Sequence, residues 1–233
     1  KGDILVECSP TNIVNGEPGK RYMMEALSQG MDVIDVSKGA LVTSFKEVME
    51  VAEKHGAKLK YSGATAAALP TLDIGEYSLA GSTITSITGI LNGTSNYILT
   101  SMYQEQLSFE QALNHAQEKG IAEANADMDV KGIDSACKIL LLSNRFLGAN
   151  NRLNDIQISG IDEITTEDLA EANAEGKKLK LIAHAFVNHN QVEVQVSPMK
   201  LSQEHPLFHV DGTNKGIVFE TKEMGAICVT GGA

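Results

Sequence analysis

Within residues 119–138 the chain gathers Glu123, Asp127, Asp129, Asp134 and Lys138 just ahead of and along a strongly apolar run. Asp134 and Lys138 are four residues apart, so on a helix they share one face, where the carboxylate can hold the ammonium in place and charged. An ammonium fixed in a cleft can give a proton to a carbonyl oxygen as hydride reaches the carbon, and can take it back in reverse. Acids drawn to a helix N-terminus by the macrodipole, with an ordinary surface ion pair, would explain the same residues, and for the pair alone that is the preferred reading. The neighbours weigh against it. Ile133, Ala136, Cys137 and the apolar residues 139–142 leave this helix little polar surface, and charges on a mostly buried helix are usually paired or functional.

These residues need a frame. The first sixty positions alternate expected strands at 3–8, 32–36 and 58–61 with expected helices at 17–29 and 44–54, the signature of parallel βαβ units. Gly30 and Gly56 stand where helix C-caps belong. An open parallel sheet binds ligands at the carboxyl ends of its strands, which places Ser9-Pro10-Thr11-Asn12 and Ser37-Lys38-Gly39 on the binding edge. After Pro70 the pattern predicts a strand at 82–90, a turn at Gly93-Thr94 and helices at 95–104, 108–119 and 131–146, with Glu123, Asp127 and Asp129 in the loop before the last. A strand at 157–161, a helix opening at Thr165 or Thr166, and strands at 178–187 and 191–197 joined by Asn188-His189-Asn190 follow, then a final pair at 216–221 and 226–230. The architecture expected is two-domain α/β with a mixed second sheet.

Composition narrows the partners. With 19 basic and 30 acidic side chains the net charge is −11, so no basic excess exists for nucleic acid. The longest apolar runs fall far below the ~20 residues that span a bilayer, and neither membrane span nor signal peptide is expected. Cys8, Cys137 and Cys228 are odd in number and widely spaced, which argues against disulfides or a zinc knuckle and for a reducing cytoplasm. The chain starts on Lys1 with a strand almost at once, and reads as the remainder of something longer.

Several motifs, in order over nearly the whole chain, resemble the homoserine dehydrogenase family. Asp129, Gly132, Asp134 and Lys138 match its acidic loop leading into Gly-x-Asp-x-x-x-Lys. Residues 89–98 resemble its Gly-Thr-x-x-Tyr-Ile substrate loop, residues 6–12 its cofactor-edge turn, Ser37-Lys38-Gly39 its Asn-Lys-Gly lysine, and Leu69-Pro70 the end of its Gly-rich hinge. The resemblance implies reversible, NAD- or NADP-dependent reduction of aspartate 4-semialdehyde to homoserine by a homodimer. It implies an incomplete Rossmann-like nucleotide-binding domain plus a mixed α/β substrate domain with a largely antiparallel sheet. The divisions would be 1–62 for the C-terminal part of the dinucleotide-binding domain, 63–205 for the substrate and dimerisation domain, and 206–233 for a return segment.

By the same resemblance Lys138 is the acid/base lysine and Asp134 its orienting carboxylate, while Lys38 reaches the pocket from the nucleotide-binding domain; either lysine could move the proton. Glu123 and Asp129 resemble the acids that bind the ammonium and hydroxyl ends of the substrate. Gly93 and Thr94 offer backbone and hydroxyl hydrogen bonds, and Thr94 is also the expected N-cap of helix 95–104. Ser9, Pro10, Thr11, Asn12 and Lys38 fall at the cofactor edge, with Gly231 and Gly232 in a Gly-rich turn near it.

Two departures stand out. In the hinge, residues 62–70, Ser62 replaces an acid that in relatives helps hold a monovalent cation, leaving carbonyls near Thr65 and Ala67 as the candidates for weak coordination. No G-x-G-x-x-G occurs, so the pyrophosphate cradle is missing and an inactive fragment retaining the substrate domain is the alternative. A phosphorylating aldehyde dehydrogenase would need an activated thiolate, and Cys137, set among carboxylates, is its sole candidate. Zinc hydrolysis is disfavoured because Pro206 breaks the His205–His209 spacing and no H-E-x-x-H occurs.

Overall fold

In a computed structural model that describes residues 3–189 and 191–232, the βαβ pattern folds as expected. β1 (Ile4–Glu7), β2 (Asp32–Asp35) and β3 (Leu59–Lys60) form a parallel sheet in the order β1-β2-β3. Helices α1 (Gly19–Ser28) and α2 (Gly39–His55) bury Met23, Leu27, Leu41 and Val48. α2 begins five residues before the predicted start at 44. Ser44 sits at φ −148°, ψ 37°, a break inside the helix that hides its first turn from a periodicity search. Gly39 opens that turn because a Cβ there would lie 2.7 Å from the carbonyl oxygen of Asn12. The two binding-edge turns therefore touch only because residue 39 has no side chain. Short helices α3 (Ser62–Ala66) and α4 (Thr71–Asp73), the latter running into a π-helical turn Ile74–Ser78, lead onward.

The second sheet contains β4 (Ile84–Ile90), β5 (Gln157–Ile158), β6 (Lys178–Asn188), β7 (Gln191–Leu201), β8 (Lys215–Thr221) and β9 (Gly225–Gly231), in the order β5-β7-β6-β4-β8-β9. Every neighbouring pair is antiparallel except β5 with β7. The fold is thus α/β, with one parallel and one largely antiparallel sheet. Its remaining helices are α5 (Gly93–Glu105), α6 (Phe109–Glu118), α7 (Asp127–Val130), α8 (Ile133–Phe146) and α9 (Thr166–Ala174), the last opening on a Thr165–Asp168 capping box. α8 packs on α2 and α3 on one side and on β4, β6 and β7 on the other, which explains why its sequence is apolar nearly all round. Ile139, Leu140, Leu141 and Leu142 are fully buried. Truncating any one of them would cost about 2–5 kcal/mol, so α8 is a stiff platform for whatever it carries.

Four expectations are corrected. Gly93-Thr94 is the first turn of α5 rather than a free turn, and Asp127 and Asp129 lie in α7 rather than in a loop. β5 ends at Ile158 instead of 161, because the chain leaves the sheet so that Ile161 N–H can donate to Val130 O (2.7 Å). β7 continues four residues past 197, through Pro198, whose partner is Leu181 on β6. β5 pairs only as far as Val196, so the missing N–H of Pro198 falls on an open edge. The expected final strand pair forms β8 and β9 of the second sheet. Asn188 pairs with Gln191 across the expected hairpin link, with His189 at φ 45°. Asn190 of that link, like Lys1 and Ala233, lies outside the described residues. Among the described residues no helix is long and apolar enough to cross a membrane.

Candidate active site

Gly132, at φ 77°, turns the chain between α7 and α8 and launches Asp134 and Lys138 on the first two turns of α8. Lys138 Nζ lies 2.6 Å from Asp134 Oδ2 and donates to the carbonyl of Leu91 at 2.9 Å. From the parallel sheet, Lys38 Nζ comes within 3.4 Å of Asp134 Oδ1. Lys38 itself adopts φ 73°, ψ −35°, a backbone conformation that non-glycine residues rarely occupy and that persists only where surrounding structure enforces it. One carboxylate therefore joins two ammonium groups, one from its own helix α8 and one from the turn that follows β2 of the parallel sheet. Burial alone would raise the Asp134 carboxyl, but Lys138, Lys38 and Asn92 outweigh it and hold it below the ordinary carboxylate value.

Asn92 is one of the residues that sequence reasoning missed. Its Oδ1 caps α5 by accepting from Ser95 N–H (2.8 Å), while its amide donates to Asp134 (2.9 Å) and Asp129 (2.6 Å). Thr94 is not the cap; its hydroxyl donates to Ile121 O at 3.0 Å. Burial raises the Asp129 carboxyl; the Asn92 hydrogen bond opposes the rise, the nearby Asp134 charge reinforces it, and it stands above its usual value. These groups line a cleft of about 540 Å³ with Gly93, Thr94 and Glu123, and Thr213 and Lys215 complete the wall. That is the size of a small-molecule site. Asp127 instead pairs with Lys131 (3.0 Å) on the exposed face, the ordinary surface pair. Cys137 is buried, and burial together with Asp134 pushes its thiol up to about 12, which leaves no thiolate for aldehyde dehydrogenase chemistry. His205 Nδ1 accepts from Leu207 N–H, and among the described residues no cluster of three or more His, Cys, Asp or Glu is placed to hold a metal ion.

Ser9, Pro10, Thr11 and Asn12 follow β1 at the carboxyl edge, as expected. Ser9 and Ser37 hydroxyls both donate to Glu7, and Thr11 donates to Ser37 O, so the two turns are stitched together. The Asn12 side chain is engaged in its own turn, accepting from Val14 N–H at 3.0 Å. Gly231 ends β9 opposite Lys215, beside the cleft wall. In the hinge, the Thr65 hydroxyl bonds Ser62 O (2.9 Å) and Thr71 (2.8 Å), and Lys215 Nζ donates to Ala66 O (3.3 Å). A monovalent cation near Thr65 and Ala67 would lie beside that ammonium, so the hinge suits one poorly.

Beneath the stitched turns lies a second unforeseen feature, the buried pair Glu7 and Asp35. Burial, then contact with Glu7, raises the Asp35 carboxyl from 3.8 to about 7, whereas Glu7 is held below its ordinary value by the Ser37 and Ser9 hydrogen bonds against the opposing effect of burial. Asp35 Oδ2 has no donor among the described residues unless a proton is shared with Glu7. A carboxyl raised on folding contributes stability that is full below its unfolded value and is lost as pH rises, here through about 7. Asp35→Asn mimics the protonated acid. It is expected to match wild type in urea unfolding at or below the unfolded value of 3.8 and to exceed it by about 1–3 kcal/mol in alkaline buffer; an equal difference at both would contradict the shared proton.

Comparison with known proteins gives the family. Residues 70–233 match the family model "Homoserine dehydrogenase", and residues 1–62 match "Homoserine dehydrogenase, NAD binding domain". The chain is 39% identical over 229 residues to a homoserine dehydrogenase of Methanocaldococcus jannaschii, covering 98% of this chain and 67% of that protein. It is 34% identical to an NAD(+)-dependent homoserine dehydrogenase of Pseudomonas canavaninivorans, covering 98% and 65% respectively. The crystal structure of a homoserine dehydrogenase from Thiobacillus denitrificans superposes with a TM-score of 0.93 at 28% identity, over 99% of this chain and 52% of that one. The chain thus spans about two thirds of these two curated relatives and about half of that solved structure.

Proposed function

Because the chain belongs to the homoserine dehydrogenase family, a family of oxidoreductases, we propose that its cleft reduces aspartate 4-semialdehyde to homoserine, reversibly, with NADH or NADPH. The observation that carries this reading is the Lys138–Asp134–Lys38 bridge, whose Lys138 and Asp134 line the cleft together with Glu123 and Asp129. An ammonium has three donors. Lys138 commits two, to Asp134 and to Leu91 O, and the third is available to the substrate oxygen. Lys138 gives its proton to the developing alkoxide and retrieves it in the oxidation, while Lys38 adds positive charge to the same atom. Asp134 is a positioning residue that orients both.

Glu123 and Asp129 take the substrate ammonium, and the Thr94 hydroxyl, its proton already engaged by Ile121 O, serves as a further acceptor. The carboxyl edge of the parallel sheet fits a nicotinamide dinucleotide, since the turns at Ser9–Asn12 and Ser37–Gly39 meet there and Lys38 reaches from that edge to Asp134. Bound there, the nicotinamide supplies or accepts the hydride. Free cysteines, two of them exposed, fit a reducing cytoplasm. A homodimer belongs to the same reading. His184 and Phe186 stack at 4.6 Å on the face of the second sheet opposite the Ala183 and Ala185 side that packs into the core, and two copies could share that surface. Homoserine-dependent reduction of NAD or NADP by the full-length gene product tests the function. Turnover is expected with at least one nucleotide, and none with either would overturn the proposal.

A further inference from the structure

Besides Lys138, the cleft is lined by a second lysine for which the mechanism above has no use. Lys215, only 5% exposed, opens β8 and lines the cleft, yet among the described residues no carboxylate lies within ion-pair distance of it. Among the described residues its one hydrogen-bond partner is the carbonyl of Ala66 at 3.3 Å. The other buried or partly buried lysines are better served: Lys138 and Lys38 share Asp134, and Lys178 and Lys180 share Asp211. A buried ammonium without an anion is costly, and such a group in a binding cleft is a receptor for an incoming negative charge.

Its surroundings say which charge. Thr213, two residues before Lys215, packs so closely on α5 that a Cβ on Gly93 would stand 2.8 Å from its carbonyl oxygen. Lys215 therefore enters the cleft beside the first turn of α5, where the N–H groups of Gly93 and Thr94 have no acceptor within the helix. The reacting oxygen is already provided for by Lys138 and Lys38, and the ammonium by Glu123 and Asp129. What remains of an amino-acid substrate is its α-carboxylate. We propose that Lys215 binds the α-carboxylate and so restricts the cleft to amino-acid alcohols and aldehydes. The assignment rests on the homoserine reading above. Burial, followed by the charge of Lys138, lowers the Lys215 ammonium from its ordinary value, and an arriving carboxylate would reverse that effect.

The test compares homoserine with 3-aminopropan-1-ol, which is homoserine without its carboxylate, as substrates of the full-length gene product. Lys215→Met is expected to raise KM for homoserine about 10- to 100-fold, as loss of a charge-assisted hydrogen bond does, with kcat nearly unchanged. Its kcat/KM for 3-aminopropan-1-ol should equal that of wild type. Lys215→Arg should recover much of the homoserine affinity. If methionine at 215 prevents folding, Lys215→Gln, which keeps a donor for Ala66 but no charge, carries the same expectation. An unshifted KM, or an equal loss on both substrates, would overturn the assignment. Wild-type turnover of homoserine checks the underlying reading separately. Its absence sinks that reading and this one together, whereas its presence with an unshifted variant sinks only the role of Lys215.

Discussion

Lys138→Ala is expected to lower kcat by about 10²- to 10⁴-fold, the usual contribution of a positioned proton donor, with the fold retained. The variant loses the group that protonates the alkoxide together with half of the positive charge beside it. It does not strand Asp134, which keeps Lys38 and the amide of Asn92. The structural cost is confined to the Leu91 carbonyl, which loses its donor, or about 1–3 kcal/mol. Steady-state rates and thermal unfolding, measured on the same preparation, separate the two effects. Turnover that survives Lys138→Ala but falls in Lys38→Ala would move the proton transfer to Lys38.

Asp134→Ala is expected to damage both stability and rate. Its carboxylate balances two ammonium groups and accepts from Asn92 in a largely buried setting, so truncation leaves cations facing one another, with Lys215 on the same wall. Removing one partner of a buried ion pair costs about 3–5 kcal/mol. The pH dependence gives a sharper check. A carboxyl held below its unfolded value contributes stability above that value and loses it as pH falls through the lowered one. Wild type and Asp134→Ala should therefore differ most near neutrality and converge in strong acid, as read by urea unfolding. A constant gap would mean that the residue acts through packing and not through charge.

The parts legible in the sequence were those set by local periodicity. Asp134 and Lys138 are one helical turn apart, so their contact follows from spacing once the helix is granted. Lys38 was legible because the end of a parallel strand is a binding edge, and the structure does bring it to Asp134. Asn92 was not, because Asn and Thr are both good caps and only the tertiary contacts decide which of two nearby residues closes the helix. Lys215 at the start of a strand carries no local mark of a site, and neither do Glu7 and Asp35, which meet only because parallel pairing sets residue 7 opposite residue 35. The start of α2 was hidden by the break at Ser44, and the end of β7 by a proline that is harmless on an open edge. Local pattern thus located the helix that carries Asp134 and Lys138 and the carboxyl edge of the parallel sheet, while residues joined through long-range pairing needed the three-dimensional structure.

The most direct test of the proposed chemistry is to mix the full-length gene product with aspartate 4-semialdehyde and NADH or NADPH, follow oxidation of the nucleotide, and identify the product by mass spectrometry. The expected result is one homoserine formed per nucleotide oxidised, with the rate abolished or nearly so in Lys138→Ala. No oxidation with either nucleotide, or oxidation indifferent to Lys138, would contradict it.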